Sequence, residues 1–382
     1  MATAPSSPPT AESSAPNLLD GPSRLTLAIC PVGIGNFIMV LPALRLLSDA
    51  IGRQNLSLLT VRGAVSDLAR ASGLFDQVYL WSPERESLAA GMRLALRMRR
   101  RHFAQSVSLF PTADARFALY TRLAGAPERV GFDYANVPIA RRLQTWSAPV
   151  NLMAHDTDQN CDLVEQILRR PGGANRQLEF PIQPAHAREG ELRQTRYYVC
   201  HPGSSTQRGM AEKRLPAAAF ADVITRLWRR FGMACVLVGG PEETETRSAI
   251  TAAAPEATLD IQSESFAELA AVVQNARFYL GNDSGVMHIA TALGRRAAVF
   301  FGPTDPRRNG PYSQARGSQA PLEHLILRNP EASCSPCWSA KTVGRNPPCI
   351  FADTRCLQRM PIGRIWSELE AWVQRGVDQD GW

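Results

Sequence analysis

The 382-residue sequence holds no uninterrupted apolar run near the roughly 20 residues that a membrane-crossing helix needs. Its first 23 residues carry five prolines and several serines but no apolar stretch, so they read as a disordered tail and not as a secretory signal or an anchor. Without such a signal, a reducing cytoplasm is the expected compartment, with peripheral contact at an inner membrane left open. Charged residues are 20% against 45% hydrophobic, which excludes a disordered chain and leaves enough apolar material for two ordinary domains without disulfide support. No aromatic residues interleave with the densest basic run, Arg93, Arg97, Arg99, Arg100 and Arg101, and no nucleic-acid motif appears, which argues against a nucleic-acid partner. One solvated helix face is the plain reading of that run. A third glycine is also missing. The loop Pro31-Val-Gly-Ile-Gly-Asn36 has Gly33 and Gly35, but position 38 is Ile38 where a dinucleotide fingerprint needs glycine.

What is present points to α/β architecture. Short β-branched runs alternate with segments of helical period, the pattern of parallel sheets covered by helices. Strands are expected at 25–30, 55–61, 77–81 and 105–110, with helices at 36–50, 88–101 and 158–168. The Pro/Gly-rich stretch from Pro171 to Pro184 interrupts the alternation. It restarts at Tyr197 with strands at 197–200, 234–238, 258–261, 277–280 and 297–301, and helices at 217–230, 242–253, 266–274 and 285–293. We expect a tail at 1–23, a first Rossmann-like domain at 24–180, a linker at 181–196, a second Rossmann-like domain at 197–362 and a closing helix at 363–376. In two doubly wound domains facing across a cleft, ligands sit at the carboxyl ends of the strands.

The loop His201-Pro-Gly-Ser-Ser-Thr206 follows the first strand of the second half, and its small residues can expose backbone N–H groups to phosphate oxygens. Lys213 can add a positive charge. Further on, Asn282-Asp-Ser-Gly-Val-Met-His288 closes a strand and opens a helix whose N-terminus favours an anion. Asp283 can accept from sugar hydroxyls or act as a plain helix cap. His288 can face the same anion or be a satisfied core histidine. The net charge of +7 and a pI near 9.2 suit anionic partners such as nucleotides, phosphorylated glycans or an acidic membrane face.

The segment Asp283–Pro306, the turn Gly239-Gly-Pro-Glu-Glu243 and the element Lys213-Arg-Leu-Pro216 together resemble glycosyltransferase family 9, the ADP-heptose:lipopolysaccharide heptosyltransferases. The first loop, Pro42-Ala-Leu44 and His155 before a helix also fit, so the resemblance spans Arg24 to Trp372. It implies a GT-B fold and an inverting transfer of heptose to a lipopolysaccharide-core or related glycan, with no catalytic metal or other cofactor. Ser204, Ser205 and Lys213 would then bind the diphosphate, and Glu243 the donor hydroxyls. Asp283, Ser284, Gly285 and His288 would contact the donor sugar and its phosphates, with Lys213 and His288 also catalytic. Gly33, Gly35 and Asn36 would form the acceptor-side loop. At position 36 the family places an aspartate as general base. Asn36 is a neutral amide and cannot take a proton near neutral pH. Either another carboxylate, Asp114 or Asp133, serves as base, or the chain binds nucleotide sugar without catalysis. A nucleotide-sugar epimerase of the same fold is the remaining alternative.

Two other patterns suggest metals. Asp156-Thr-Asp158 spells a metal motif of another transferase class, although acids at a helix start are ordinary. Cys334-Ser-Pro-Cys337 with Cys349 and Cys356 supplies four thiols in a Pro-rich loop at 334–356, a set that could hold zinc or iron. The second pair lacks close spacing, which favours reduced thiols. Cys30, Cys161, Cys200 and Cys235 read as ordinary buried thiols.

Overall fold

In the computed structural model the described residues are 15–17, 20, 25–185, 192, 196–314, 320–338 and 346–380. Most of the tail expected at 1–23, and much of the linker expected at 181–196, lie outside them. The first half contains β1 (Thr26–Ile29), α1 (Ile34–Ile51), β2 (Leu56–Thr60), α2 (Gly63–Ser72), β3 (Gln77–Leu80), α3 (Leu88–Arg99), β4 (Gln105–Ser108), α4 (Ala115–Leu123), β5 (Glu128–Asp133), α5 (Pro138–Leu143), β6 (Trp146–Pro149) and α6 (Asp156–Leu168). The second contains β7 (Tyr197–His201), α7 (Ala217–Phe231), β8 (Ala234–Leu237), α8 (Thr244–Ala253), β9 (Thr258–Asp260), α9 (Phe266–Gln274), β10 (Phe278–Asn282), α10 (Gly285–Ala292), β11 (Arg296–Phe301), α11 (Pro306–Asn309), β12 (Leu325–Arg328), α12 (Arg355–Gln358) and α13 (Ile362–Asp380).

Two six-stranded sheets result, in the orders β3-β2-β1-β4-β5-β6 and β12-β11-β10-β7-β8-β9. Each pair of neighbouring strands runs parallel. Parallel strands are covered on both faces, so the central ones are continuously apolar: Leu27, Ala28 and Ile29 are fully buried, as are Ala297 to Phe301. The edge strands β3, β6 and β12 are only partly buried. For that reason β6, like the charged start of β5, carries no apolar run and escapes sequence reading; β12 is not among the expected strands either, although Leu325-Ile326-Leu327 is apolar. Strand β10 runs two residues past its expected end and carries Asn282 into the sheet.

Helix α1 is long and apolar enough by composition to cross a membrane, yet 61% of it is buried. It covers the first sheet with α6 on one face, while α3, α4 and α5 line the other. In the second half, α13 packs on α7 and β12 and seats Ile365, Leu369, Trp372 and Val373 in the core. Trp372 meets Phe278 edge-on at 5.4 Å, and truncating a buried tryptophan of this kind costs about 3–5 kcal/mol.

The strand order reverses between β1 and β4 in one sheet and between β7 and β10 in the other. Ligands of open parallel sheets bind in the crevice outside the carboxyl ends at such a reversal. The loops concerned are 30–36 and 109–114 on one side, and 202–206 and 283–285 on the other.

Candidate active site

The two halves meet where α1 and α10 begin. A Cβ on Gly35 would lie 2.6 Å from His288 Cδ2 and 3.3 Å from Gly285 Cα, so only glycine permits this approach. The second glycine of the first loop therefore serves contact between the halves, not a dinucleotide turn. A Cβ on Gly33 would meet no atom of the described residues within 4 Å. Asn36, on the first turn of α1, is half-buried, and its amide has no hydrogen-bond partner among the described residues.

On the opposite side, Asn282 at the end of β10 organises two loops. Its Nδ2 donates to the Pro202 carbonyl at 2.7 Å, and its Oδ1 accepts from the Leu215 amide at 3.0 Å. This fixes the His201–Thr206 loop and the Lys213-Arg-Leu-Pro216 element side by side. Lys213 Nζ then reaches Asp283 Oδ2 at 3.1 Å, with side-chain exposures of 11% and 4%. A buried ion pair beside a cleft fixes both partners in place and leaves remaining lone pairs and protons for a ligand.

Ser284 stands at the N-cap of α10 but does not cap it. Its hydroxyl pairs instead with His201 Nδ1 at 3.0 Å and with Tyr279 Oη at 3.2 Å. Among the described residues no side chain caps the first-turn N–H groups of α10, and the helix dipole adds to their attraction for an anion. Neither Asp283 nor Ser284 is a plain cap.

His288 is buried, and burial lowers its pKa to about 3. Its imidazole is neutral at pH 7 and cannot contribute a positive charge to a departing diphosphate; it can only exchange hydrogen bonds. Its Nδ1 is buried without a partner among the described residues.

Residues matching glycosyltransferase family 9 (heptosyltransferase) span 94–337, more than half of the chain. The chain belongs to this family. It is 27% identical over 273 residues to lipopolysaccharide heptosyltransferase 1 of Pseudomonas aeruginosa, covering 67% of this chain and 70% of that protein. Its fold is that of E. coli ADP-heptose lps heptosyltransferase II, with TM-score 0.65, 18% identity and coverage of 92% and 98% of the two chains. E. coli heptosyltransferase WaaC with ADP superposes at TM-score 0.62 with 19% identity, covering 84% and 98%. The two parallel-sheet domains are thus a GT-B heptosyltransferase fold.

Within this family 9 member the residues singled out from sequence divide. Gly35, Gly285 and His288 meet across the halves, and Lys213 and Asp283 pair. Ser204 is buried, its hydroxyl donating to the Met210 carbonyl at 2.8 Å, so it holds the loop together; Ser205 is exposed. Glu243 is buried against Gly203, accepts from the Gly240 amide at 2.9 Å and pairs with Arg214 at 2.8 Å. Arg214 was missed by sequence reading. It bridges Glu243 and the Ser204 carbonyl, and its place in Lys213-Arg-Leu-Pro216 was the available signal.

The acidic pair is already engaged by protein partners. Asp156 pairs with Arg308 at 3.1 Å, while Asp158 pairs with Arg176 at 3.3 Å and accepts from Tyr312 Oη at 2.6 Å. Cations and a phenol already take these carboxylates, and the contacts to Arg308 and Tyr312 tie the two halves together. His155 joins the same seam: its Nδ1 accepts from the Thr157 amide, so Nε2 carries the proton toward the Gly310 carbonyl at 3.2 Å. As for Cys334, Cys337, Cys349 and Cys356, the described residues contain no group of three or more His, Cys, Asp or Glu placed to hold a metal. Burial, and then the nearby thiols of Cys337, Cys334 and Cys349, raise the Cys356 pKa to about 11. Residues 339–345 of that loop lie outside the described residues.

Burial lowers the pKa of His201 and His288 to about 3 and of His155 and His324 to about 4, from an ordinary 6.5. The unfolded chain binds these protons near pH 6.5 and the folded chain does not, so stability is full above pH 6.5 and is lost as pH falls toward 4. Melting temperatures measured from pH 8 to pH 4.5 are expected to fall steadily below pH 6.5. A flat profile through pH 5 would show these imidazoles to be hydrated.

Proposed function

We propose that this family 9 member transfers heptose from ADP-heptose to a lipopolysaccharide-core glycan with inversion at the anomeric carbon. The uncapped N-terminus of α10, beside the Lys213–Asp283 pair and against the Gly35–Asn36 loop, carries this reading. ADP in the solved WaaC structure, and the ADP-2-deoxy-2-fluoro heptose in another, support the choice of donor. Residues 24–180 take the acceptor and 197–362 the donor, the latter including the loop 334–356. The acceptor is a lipid-anchored glycan, which agrees with a cytoplasmic enzyme working against an acidic inner membrane face.

The acceptor oxygen attacks the anomeric carbon as the bond to the β-phosphate breaks, and ADP leaves. Lys213, Ser205 and the N–H groups of Ser284 and Gly285 offset the charge that develops on the diphosphate. Glu243, through Arg214, shapes the loop that receives the donor, and Asp283 and neutral His288 hydrogen-bond the sugar. The acceptor proton passes to a carboxylate other than position 36. Asp114 is the better placed, because it ends the loop after β4, the strand adjoining β1. Asp133 ends β5, one strand farther away. Asn36 orients the acceptor hydroxyl.

Calorimetric titration with a panel of nucleotide sugars, followed by transfer assays on core glycans, tests the reading. ADP-heptose should bind tightest and be consumed only when acceptor is present. Consumption without acceptor would instead indicate an epimerase. Because Lys213 and a helix terminus serve in place of a cation, EDTA is expected to leave transfer unchanged over a short assay. Immediate loss restored by magnesium or manganese would overturn the metal-independent mechanism. Donor binding without transfer to any acceptor would favour the second reading, a nucleotide-sugar binder, which the neutral amide at Asn36 motivates.

A further inference from the structure

The exposed apolar side chains are unevenly spread. Of the eleven large hydrophobic residues that stand exposed among those described, eight lie between Leu80 and Met153. Three of them, Leu88, Met92 and Leu96, recur every fourth residue on α3 and so share one outward face, with exposures of 89%, 49% and 53%. Leu119 on α4 and Ile139 on α5 are exposed as well. These helices form one contiguous layer, since α3 packs on α4 and α4 on α5.

Charge is concentrated on the same layer. Residues 88–143 contain ten arginines and only three carboxylates, Asp114, Glu128 and Asp133. That excess equals the +7 of the whole chain, so the remainder is balanced. Asp114 is paired with Arg116 and Asp133 with Arg141, whereas the exposed Arg93, Arg100, Arg122 and Arg142 have no ion-pair partner among the described residues. Outside this span, Asp76 pairs with Arg101 at 2.6 Å, and Glu84 and Glu86 lie in the turn before α3, where Glu86 accepts from the Ser82 amide.

We propose that the outer face of α3, α4 and α5 is the surface by which this protein lies on an anionic lipid bilayer. Apolar side chains flanked by unpaired arginines on a helix face match an interfacial element: the leucines and methionine enter the boundary between headgroups and acyl chains, and the guanidinium groups meet lipid phosphates. The face suits no second copy of itself, because two such surfaces would repel. Nor does it suit nucleic acid, because Trp81, Phe117 and Tyr120, the aromatics of this layer, are buried and offer no stacking platform. In a parallel β/α layer each helix begins at the carboxyl edge of the sheet, so Leu88 stands on the same edge as the Gly33–Asn36 loop. The bilayer would therefore border the acceptor side of the cleft. This orientation rests on the proposed lipid-anchored acceptor; the binding surface itself does not.

Flotation of the full chain with vesicles of phosphatidylcholine alone, or of phosphatidylcholine with an equal share of phosphatidylglycerol, tests the proposal without any turnover. Binding is expected only to the mixed vesicles and should weaken as salt rises. Each arginine at an anionic surface contributes about a fivefold factor, so R93Q/R100Q/R122Q/R142Q should weaken binding by roughly 600-fold. L88S/M92S/L96S, which changes no charge, should also release the protein from vesicles. All seven side chains are exposed, so melting temperature and donor affinity should match the unaltered protein. No binding to the mixed vesicles overturns the proposal. So does a serine variant that binds them undiminished, because charge alone would then be acting and an acidic protein would be the better partner. Failure of transfer assays with vesicle binding intact would count against the enzymatic reading and leave this surface standing.

Discussion

Asp114→Asn is expected to lower kcat about 10²–10⁴-fold while leaving donor affinity unchanged, the loss typical of removing a general base. Its carboxylate sits at the N-cap of α4, accepting from the Arg116 amide at 2.9 Å and pairing side-on with the Arg116 guanidinium. Asparagine preserves the capping oxygen and most of the shape, so the fold should hold and the loss should fall on kcat. The paired change Asn36→Asp should restore part of the rate, since it places a proton acceptor back at the acceptor-side loop. In the unaltered enzyme, kcat/KM should decline on an acidic limb in the carboxylate range. Full activity of Asp114→Asn with loss in Asp133→Asn would move the base to β5. If both variants keep full rates and the pH profile is flat under rate-limiting chemistry, no carboxylate base operates.

Lys213→Met is expected to weaken donor binding at least tenfold, because a charge-assisted contact contributes about 1.5–3 kcal/mol. Methionine keeps the apolar stem but removes the ammonium, leaving Asp283 buried with an unpaired charge. Breaking a buried pair from one side costs about 3–5 kcal/mol, so the melting temperature should fall as well. Asp283→Asn in the same background removes the stranded charge. It should recover stability without recovering donor affinity, which separates the structural effect from the binding effect. Calorimetry with ADP and with ADP-heptose measures both. Unaltered affinity for ADP in Lys213→Met would place the diphosphate elsewhere.

Local chemistry carried much of the outcome in the sequence. The alternation of β-branched runs with helical periods gave two parallel-sheet halves, since buried parallel strands must be apolar throughout. The motif at Asp283–His288 marked a strand end opening a helix, and Lys213 stood out as a cation near a Gly/Ser loop. The sequence alone also ruled out a dinucleotide fingerprint at Ile38 and a proton acceptor at Asn36, because both depend only on which side chain is present. Pairings between distant residues depended on tertiary structure. Gly35 is a glycine because His288, more than 250 residues away, leaves no room for a Cβ. Asp156 and Asp158 look like metal ligands until Arg308 and Tyr312 arrive from the other half. Ser204 turned inward and Ser205 outward, a difference that two adjacent serines cannot express in one dimension. His288 lost its charge to burial, and burial is a property of the assembled cleft. The basic run of α3 reads as an ordinary solvated face until the structure shows three apolar side chains exposed along it.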